Sequence, residues 1–240
     1  MKALCVIPSR IASTRLARKP LLPIHGKPMI QWVYEKAKAC TLLEKVIVAT
    51  DSLEIADLIG GLGGDVMMTS PDIQTGSDRV AVVAKSFPDM DVVINLQGDE
   101  PFIKPSMLNQ VLAPYLAAEN PDMSTLAYEL SEQAYNDPGA VKVILDCKGY
   151  AIYFSRAPIP YYRQAIKAPV FHHMGLYAFR YDFLMKYTTL QKTPLEHAES
   201  LEQLRALENG YKIRVCLTEH KTIEVNTPED YEKAKHMAMN

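Results

Sequence analysis

Ala3-Leu4-Cys5-Val6-Ile7-Pro8-Ser9-Arg10-Ile11-Ala12-Ser13-Thr14-Arg15-Leu16-Ala17-Arg18-Lys19-Pro20 is the stretch on which the fold turns. Residues 3–7 are apolar without interruption. That pattern predicts a short strand covered on both faces, because a half-exposed strand would alternate. The rest of the stretch places four basic residues, Arg10, Arg15, Arg18 and Lys19, within ten positions of one another at the carboxyl end of that strand. Apolar runs of the same kind recur at 45–50, 66–69 and 92–96. Between them lie amphipathic patterns at 29–39, 53–59 and 79–87. Strands separated by helices in this way predict a parallel sheet. In such sheets ligands bind beyond the carboxyl ends of the strands, so the loops after the runs are the places to search for a site.

The second half is more mixed. Strands are predicted at 141–145 and 151–154, joined through Lys148-Gly149, and further strands at 174–179 and 214–217. A helix is predicted over 195–208, ended by Asn209-Gly210. The last helix begins at Thr227-Pro228-Glu229-Asp230, with a capping threonine, proline at the first helical position and acids in the first turn. The sequence holds no repeat or clear linker. It reads as one α/β domain over 1–240, whose second half is a mixed strand and helix extension.

The chain of 240 residues is 48% hydrophobic and 22% charged, with a formal net charge of −2. That length supports a sizeable core, and the charge balance gives no reason to expect nucleic acid as a partner. The four cysteines, Cys5, Cys40, Cys147 and Cys216, are far apart and form no CxxC pair, so neither zinc nor a disulfide framework is indicated. No apolar stretch is long enough to span a membrane. The expected location is the cytoplasm.

Three segments bear chemistry. The basic loop suits a polyphosphate, because arginine offers forked contacts to phosphate oxygens and lysine a point charge. It is not a P-loop, since GxxxxGK[ST] is absent. Gln74-Thr75-Gly76-Ser77-Asp78-Arg79 precedes a helix that Ser77 or Asp78 could cap, leaving Gln74 and Arg79 for a ligand. Gln97-Gly98-Asp99-Glu100-Pro101 follows the fourth run directly. An acid at that place can hold Mg²⁺, which takes few carboxylates and shares substrate phosphates; Asp99 ranks ahead of Glu100. Further on, His173, Gly175 and Tyr177 alternate along a predicted strand. Glu199, Glu202 and Gln203 share a face of the 195–208 helix at spacings of three and four. These side chains suit a polyhydroxylated sugar.

Taken together, Pro8-Ser9-Arg10, Ser13-Thr14-Arg15-Leu16, Lys19-Pro20, Gly26-Lys27-Pro28-Met29-Ile30, Ala49-Thr50-Asp51, Gly76-Ser77-Asp78-Arg79 and Asn95-Leu96-Gln97-Gly98-Asp99-Glu100-Pro101 resemble the motifs of the CMP-Kdo synthetases (3-deoxy-manno-octulosonate cytidylyltransferases). So do Tyr153-Phe154-Ser155-Arg156, His173-Met174-Gly175-Leu176-Tyr177, Leu201-Glu202-Gln203-Leu204-Arg205 and Thr227-Pro228-Glu229-Asp230. The resemblance implies a Rossmann-like sheet with helices on both faces, a homodimer, and Mg²⁺, CTP and the sugar acid Kdo as ligands. It assigns Arg10, Ser13, Arg15, Lys19, Gln74, Ser77 and Arg79 to CTP and Asp99 to Mg²⁺. Gln97, His173, Tyr177, Glu202 and Gln203 would hold the sugar. Arg10, Arg15, Lys19 and Asp99 would do the catalytic work. The chain departs from the pattern twice. Ala17-Arg18 stands where the family has Pro-Gly, and Asn226 stands where it has an aspartate that serves as a second metal ligand. Two alternatives remain: a cytidylyltransferase for a modified octulosonate such as 8-amino-Kdo or for a sialic-like acid, and a non-catalytic nucleotide-binding paralogue. A nicotinamide dehydrogenase is disfavoured because the first turn lacks GxGxxG.

Overall fold

In the computed structural model, which describes residues 1–12, 15–164 and 168–239, every residue of the first strand, β1 (Ala3–Ser9), is buried. The chain continues through a short hairpin, β2 (Pro23–Ile24) and β3 (Lys27–Pro28), into α1 (Met29–Lys38), β4 (Lys45–Thr50), α2 (Leu53–Gly61), β5 (Asp65–Met68), α3 (Gly76–Ala84) and β6 (Val92–Asn95). β1 pairs in parallel with β4 on one side, Ser9 opposite Thr50, and with β6 on the other, Val6 opposite Asn95. β5 adds in parallel to β4. The chain thus moves outward from β1 to β5 and then returns to the far side of β1. That reversal leaves a crevice beyond the carboxyl ends of β1 and β6, where open α/β sheets bind ligands.

After α4 (Pro105–Leu116) come β7 (Met123–Glu129), β8 (Lys142–Leu145), β9 (Ala151–Ser155), β10 (Phe171–Arg180), α5 (Tyr181–Tyr187), α6 (Pro194–Glu199), α7 (Leu204–Glu208), β11 (Ile213–Leu217) and α8 (Pro228–His236). The chain divides into two compact units. The first is Met1–Asn109 with Thr222–Asn240, and the second is Gln110–Lys221. In the second unit β7 is central, antiparallel to β10 and parallel to β11, while β8 pairs with both β10 and β9. The α/β class and the mainly parallel sheet with a mixed extension are as the sequence predicts.

The returning segment of the first unit is held by an apolar cluster of Ile24, Met29, Phe102, Val225 and Ala234. α8 starts as predicted. The Thr227 side chain accepts from the Asp230 amide at 3.2 Å, and Asp230 reaches back to the Thr227 amide at 3.0 Å. No helix among the described residues is long and apolar enough to cross a membrane.

Four features differ from the sequence reading. The central strand β7 and the helix α4 have no predicted counterpart. The helix predicted over 195–208 is broken into α6 and α7, because Ser200 adopts a left-handed conformation with φ of 52°. Glu199, Glu202 and Gln203 therefore do not lie on one helical face. The helix α3 is capped by Thr75, whose hydroxyl accepts from the Asp78 amide at 3.1 Å, and not by Ser77 or Asp78. Finally, the alternation of His173, Gly175 and Tyr177 is interrupted by a bulge between Met174 and Tyr177.

Candidate functional site

The basic loop leaves β1 at Ser9, whose hydroxyl is buried and has no hydrogen-bond partner among the described residues. Arg10 is exposed and donates to the Ile73 carbonyl at 3.4 Å. Asp51, just past the end of β4, accepts from the Ile11 amide at 3.2 Å and so fixes where the loop begins. Ser13 lies outside the described residues. Arg18 takes a left-handed conformation, φ 53°, and pairs with Glu54. Glycine meets that backbone demand at least cost, so the arginine at this position carries strain that Pro-Gly would not. The loop ends in a 3₁₀ turn, Lys19–Leu21, with Pro20 buried beneath it.

α3 supplies the second group. Arg79 is 1% exposed, donates to the Thr69 hydroxyl and lies 3.9 Å from Asp51. Burial is the largest influence on its guanidinium and lowers its pKa, while Asp51 opposes that shift. Its Nη2 has no hydrogen-bond partner among the described residues. An unmet buried donor costs about 1–3 kcal/mol or more, which makes this atom and the Ser9 hydroxyl candidates for a ligand contact. Ser77, also buried, accepts from Asn95 Nδ2 at 3.2 Å, and Asn95 in turn accepts from Gln97 Nε2 at 2.7 Å. Gln74 is exposed and turned back onto the Asp72 carbonyl at 2.9 Å. Gly76 and Gly98 lie where a Cβ would be crowded, the first by a side-chain end and the second by backbone. A Cβ at Gly76 would lie 3.1 Å from Gln97 Nε2, and one at Gly98 would lie 3.2 Å from the Pro8 carbonyl.

The third group is acidic. Asp99 Oδ2 accepts from Lys19 Nζ at 2.6 Å. Lys19 Nζ also reaches Asn226 Oδ1 at 3.1 Å, and Arg15 Nη2 reaches the same oxygen at 3.3 Å. The backbone makes this meeting possible, since the Val225 amide donates to the Asp99 carbonyl at 3.0 Å. The neighbouring Glu100 plays a different part. It is 1% exposed, accepts from the Thr222 hydroxyl at 3.1 Å, and burial, with Glu224 and Asp99 adding repulsion, pushes its pKa well above the usual carboxylate range. Asp99 is thus the more accessible of the two acids, and Glu100 is a structural anchor. Among the described residues no group of three or more His, Cys, Asp or Glu side chains could hold a metal. The Lys19 ammonium nevertheless shows Asp99 Oδ2 and Asn226 Oδ1 sharing one cation. A hard ion held by these two oxygens would have to complete its shell with water and substrate oxygens, which is how Mg²⁺ is commonly bound.

In the second unit the bulge in β10 sets His173 opposite Ala127 and Tyr177 opposite Thr125, two neighbouring same-face positions of β7. Their rings are 5.4 Å apart. The Thr125 hydroxyl lies 2.8 Å from the Leu176 carbonyl, 3.1 Å from the Met174 carbonyl and 3.1 Å from His173 Nε2. With its one proton committed to the carbonyls of the bulge, Thr125 accepts from Nε2–H, which leaves Nδ1 as an acceptor. Tyr177 donates to Gln203 Oε1 at 3.1 Å, and Gln203, 2% exposed, has an Nε2 without a partner among the described residues. The break at Ser200 gives Gln203 this position. Glu202 precedes it in the same turn, and its carbonyl accepts from Tyr187 at 2.7 Å. Thr125, on the unpredicted strand, is the residue that sequence reasoning passed over. Glu100, read there as the weaker metal candidate, is buried against Thr222.

Burial also governs the histidines. It lowers His173 to about 3 and His172, stacked on Tyr128, to about 4. The folded state therefore holds both neutral, whereas the unfolded chain takes up protons below the ordinary value of 6.5. Protons then favour unfolding, so stability is present above pH 6.5 and is lost as pH falls towards 4 and 3. His172→Phe keeps the stacking partner and removes one of the two groups. Its melting temperature, measured from pH 7 down to about pH 4, is expected to fall less steeply than that of the unmodified protein; parallel curves would rule out His172 as a source of the dependence.

The chain matches the cytidylyltransferase family model over residues 4–213. It is 53% identical to a 3-deoxy-manno-octulosonate cytidylyltransferase of Acaryochloris marina, over 98% of this chain and 96% of that one. It is 48% identical to the enzyme of that name from Synechococcus elongatus, over 99% and 98%. A solved structure of CMP:2-keto-3-deoxy-manno-octonic acid synthetase complexed with CTP superposes with a TM-score of 0.94 at 41% identity, covering 98% of each chain. On this agreement of sequence and fold, the chain belongs to the cytidylyltransferase family, among the 3-deoxy-manno-octulosonate cytidylyltransferases.

Proposed function

We propose that the protein joins CTP and Kdo to give CMP-Kdo and pyrophosphate, activating the sugar for lipopolysaccharide biosynthesis, and that it does so with Mg²⁺ as a cytoplasmic homodimer. The observation that carries the reading is the meeting of Arg15, Lys19, Asp99 and Asn226 beyond the carboxyl ends of β1 and β6. Cations that can hold phosphates and oxygens that can hold a metal share that one place. The names of the relatives supply the substrates.

In the proposed reaction the anomeric hydroxyl of Kdo attacks the α-phosphate of CTP, and pyrophosphate leaves in line. Arg10, Arg15 and Lys19 would hold the outer phosphates, and Arg79 Nη2 and the Ser9 hydroxyl would each gain the partner they lack. Gln74 and Ser77 would complete the nucleotide contacts, together with Ser13. His173 Nδ1 and Gln203 Nε2 would bind sugar hydroxyls or the carboxylate, with Tyr177, Glu202 and Gln97 completing that set. Asp99 and Asn226 would hold Mg²⁺, which when bound neutralises charge on the phosphates. Catalysis then rests on positioning and charge neutralisation, with no covalent intermediate on the protein.

Pyrophosphate release measured with CTP, UTP and ATP, each crossed with Kdo, 8-amino-Kdo and a sialic acid, tests the reading. Release is expected with CTP and Kdo. Release with only a modified sugar would reassign the substrate, and CTP binding without release in any combination would make the protein a nucleotide binder. Lys19→Ala is expected to weaken CTP binding roughly tenfold to a hundredfold, the worth of one charge-assisted contact, with CMP affinity nearly unchanged. Calorimetric titration of both nucleotides checks this, and equal weakening would remove Lys19 from the outer phosphates.

A further inference from the structure

We infer that Glu224 is a positioning residue of the nucleotide site, fixing the Asn226 side chain so that its oxygen faces the Lys19–Asp99 side. The inference rests on the reading of Asp99 and Asn226 as the oxygens that hold the metal.

Glu224 Oε2 accepts from Asn226 Nδ2 at 2.9 Å. Asn226 Oδ1 accepts from Lys19 Nζ and from Arg15 Nη2, and Lys19 Nζ also donates to Asp99. The four groups thus run carboxylate, amide, ammonium, carboxylate, each donor facing an acceptor. An amide is nearly symmetric in shape, so only its partners decide which end points where. Turning Asn226 over would set its NH₂ against two cations and its oxygen against a carboxylate. The contacts of the amide with Lys19, Arg15 and Glu224 would all become repulsive.

The backbone supports the arrangement. Val225, between Glu224 and Asn226, is fully buried, whereas Glu224 is exposed and Asn226 half-buried. The segment is fastened to the acidic loop by the Val225 amide on the Asp99 carbonyl and by Thr222 on Glu100. Asn226 is therefore held in place by its main chain and oriented by Glu224. The pair also explains how an asparagine can serve where the family has an aspartate. The amide oxygen is directed at the cation by the carboxylate two residues earlier, which holds the other end of the amide.

Glu224→Gln and Glu224→Leu separate orientation from charge. Glutamine keeps a carbonyl that can accept from Asn226 Nδ2, whereas leucine removes the acceptor. Mn²⁺ is titrated into the full-length protein without nucleotide and followed by the resonance signal of the free ion. Glu224→Gln is expected to bind within about twofold of the unmodified protein. Glu224→Leu is expected to bind roughly tenfold more weakly, the usual cost of losing a group that orients a metal ligand. A second measurement uses metal-free protein. Asn226→Asp alone places two carboxylates at the 2.9 Å contact and is expected to lower the melting temperature, and Glu224→Gln combined with it is expected to restore the loss.

Equal Mn²⁺ affinity in Glu224→Leu and the unmodified protein, or additive melting shifts in the two single variants and the double variant, would overturn the role of Glu224. Absence of any Mn²⁺ binding by the unmodified protein would instead count against the metal reading, and the metal-free melting series would still decide whether Glu224 orients Asn226.

Discussion

Asp99→Ala is expected to lower turnover at saturating CTP and Kdo on the order of a hundredfold or more while the melting temperature stays near that of the unmodified protein. The separation of the two effects follows from how Asp99 is built in. Its backbone carbonyl, not its side chain, receives the Val225 amide, so the returning segment remains attached in the alanine variant. Its carboxylate meets Lys19 at the surface of the site and not in the core. What is lost, on the proposed reading, is the charged oxygen that would hold a cation against the phosphates. Lys19 keeps Asn226 Oδ1 as an acceptor, so it does not become a stranded charge. Pyrophosphate release checks the rate and calorimetry checks the fold. A variant that retained a tenth of the original rate would take Asp99 out of the metal role.

Arg205→Leu is expected to lower stability by about 3–5 kcal/mol, the cost of breaking a buried pair from one side. Arg205 donates to Glu196 through Nε at 2.8 Å and through Nη2 at 2.6 Å, with both side chains buried. The pairing raises the arginine pKa above its already high value. Its guanidinium also lies 5.0 Å over the Tyr187 ring. Glu196 has a second task, since its carboxylate accepts from the Thr193 amide at the start of α6. Leucine at 205 leaves that carboxylate buried without its cation. Replacing both partners by apolar residues removes the uncompensated charge, so Glu196→Leu combined with Arg205→Leu should lose less than the single variant. Urea unfolding followed by circular dichroism measures both. A loss under about 1 kcal/mol in the single variant would mean that the site is wetter than its burial indicates.

Periodicity and placement made much of this legible. The runs at β1 and β6 are apolar on both faces, and each exits directly into a chemical loop, so the basic loop and Asp99 could be found from the chain alone. β7 was hidden because Met123-Ser124-Thr125-Leu126-Ala127-Tyr128-Glu129 mixes small and polar residues with apolar ones. Ser124 and Thr125 are buried there only because their hydroxyls find backbone carbonyls. α4 was hidden by Pro114 inside it, which reads as a breaker. The division at Ser200 has no local signal, since serine rarely adopts a left-handed conformation. Arg18 is the contrary case, because the resemblance marks its position as one where glycine is usual. Glu224 became informative only through its neighbour, once the amide of Asn226 had a direction.

The return of Thr222–Asn240 to the first unit has a consequence for biosynthesis. A ribosome delivers the basic loop and Asp99 early, then the whole of Gln110–Lys221, and only afterwards the segment bearing Asn226. Domains tend to fold as they emerge, so the second unit can complete its fold while the first still lacks its closing segment. Until then Val225 is missing from the cluster around Ile24 and Met29, and Lys19 has one oxygen partner in place of two. A nascent chain stalled before position 222 would hold most of the phosphate-binding side chains, yet it would lack the piece that makes them a site.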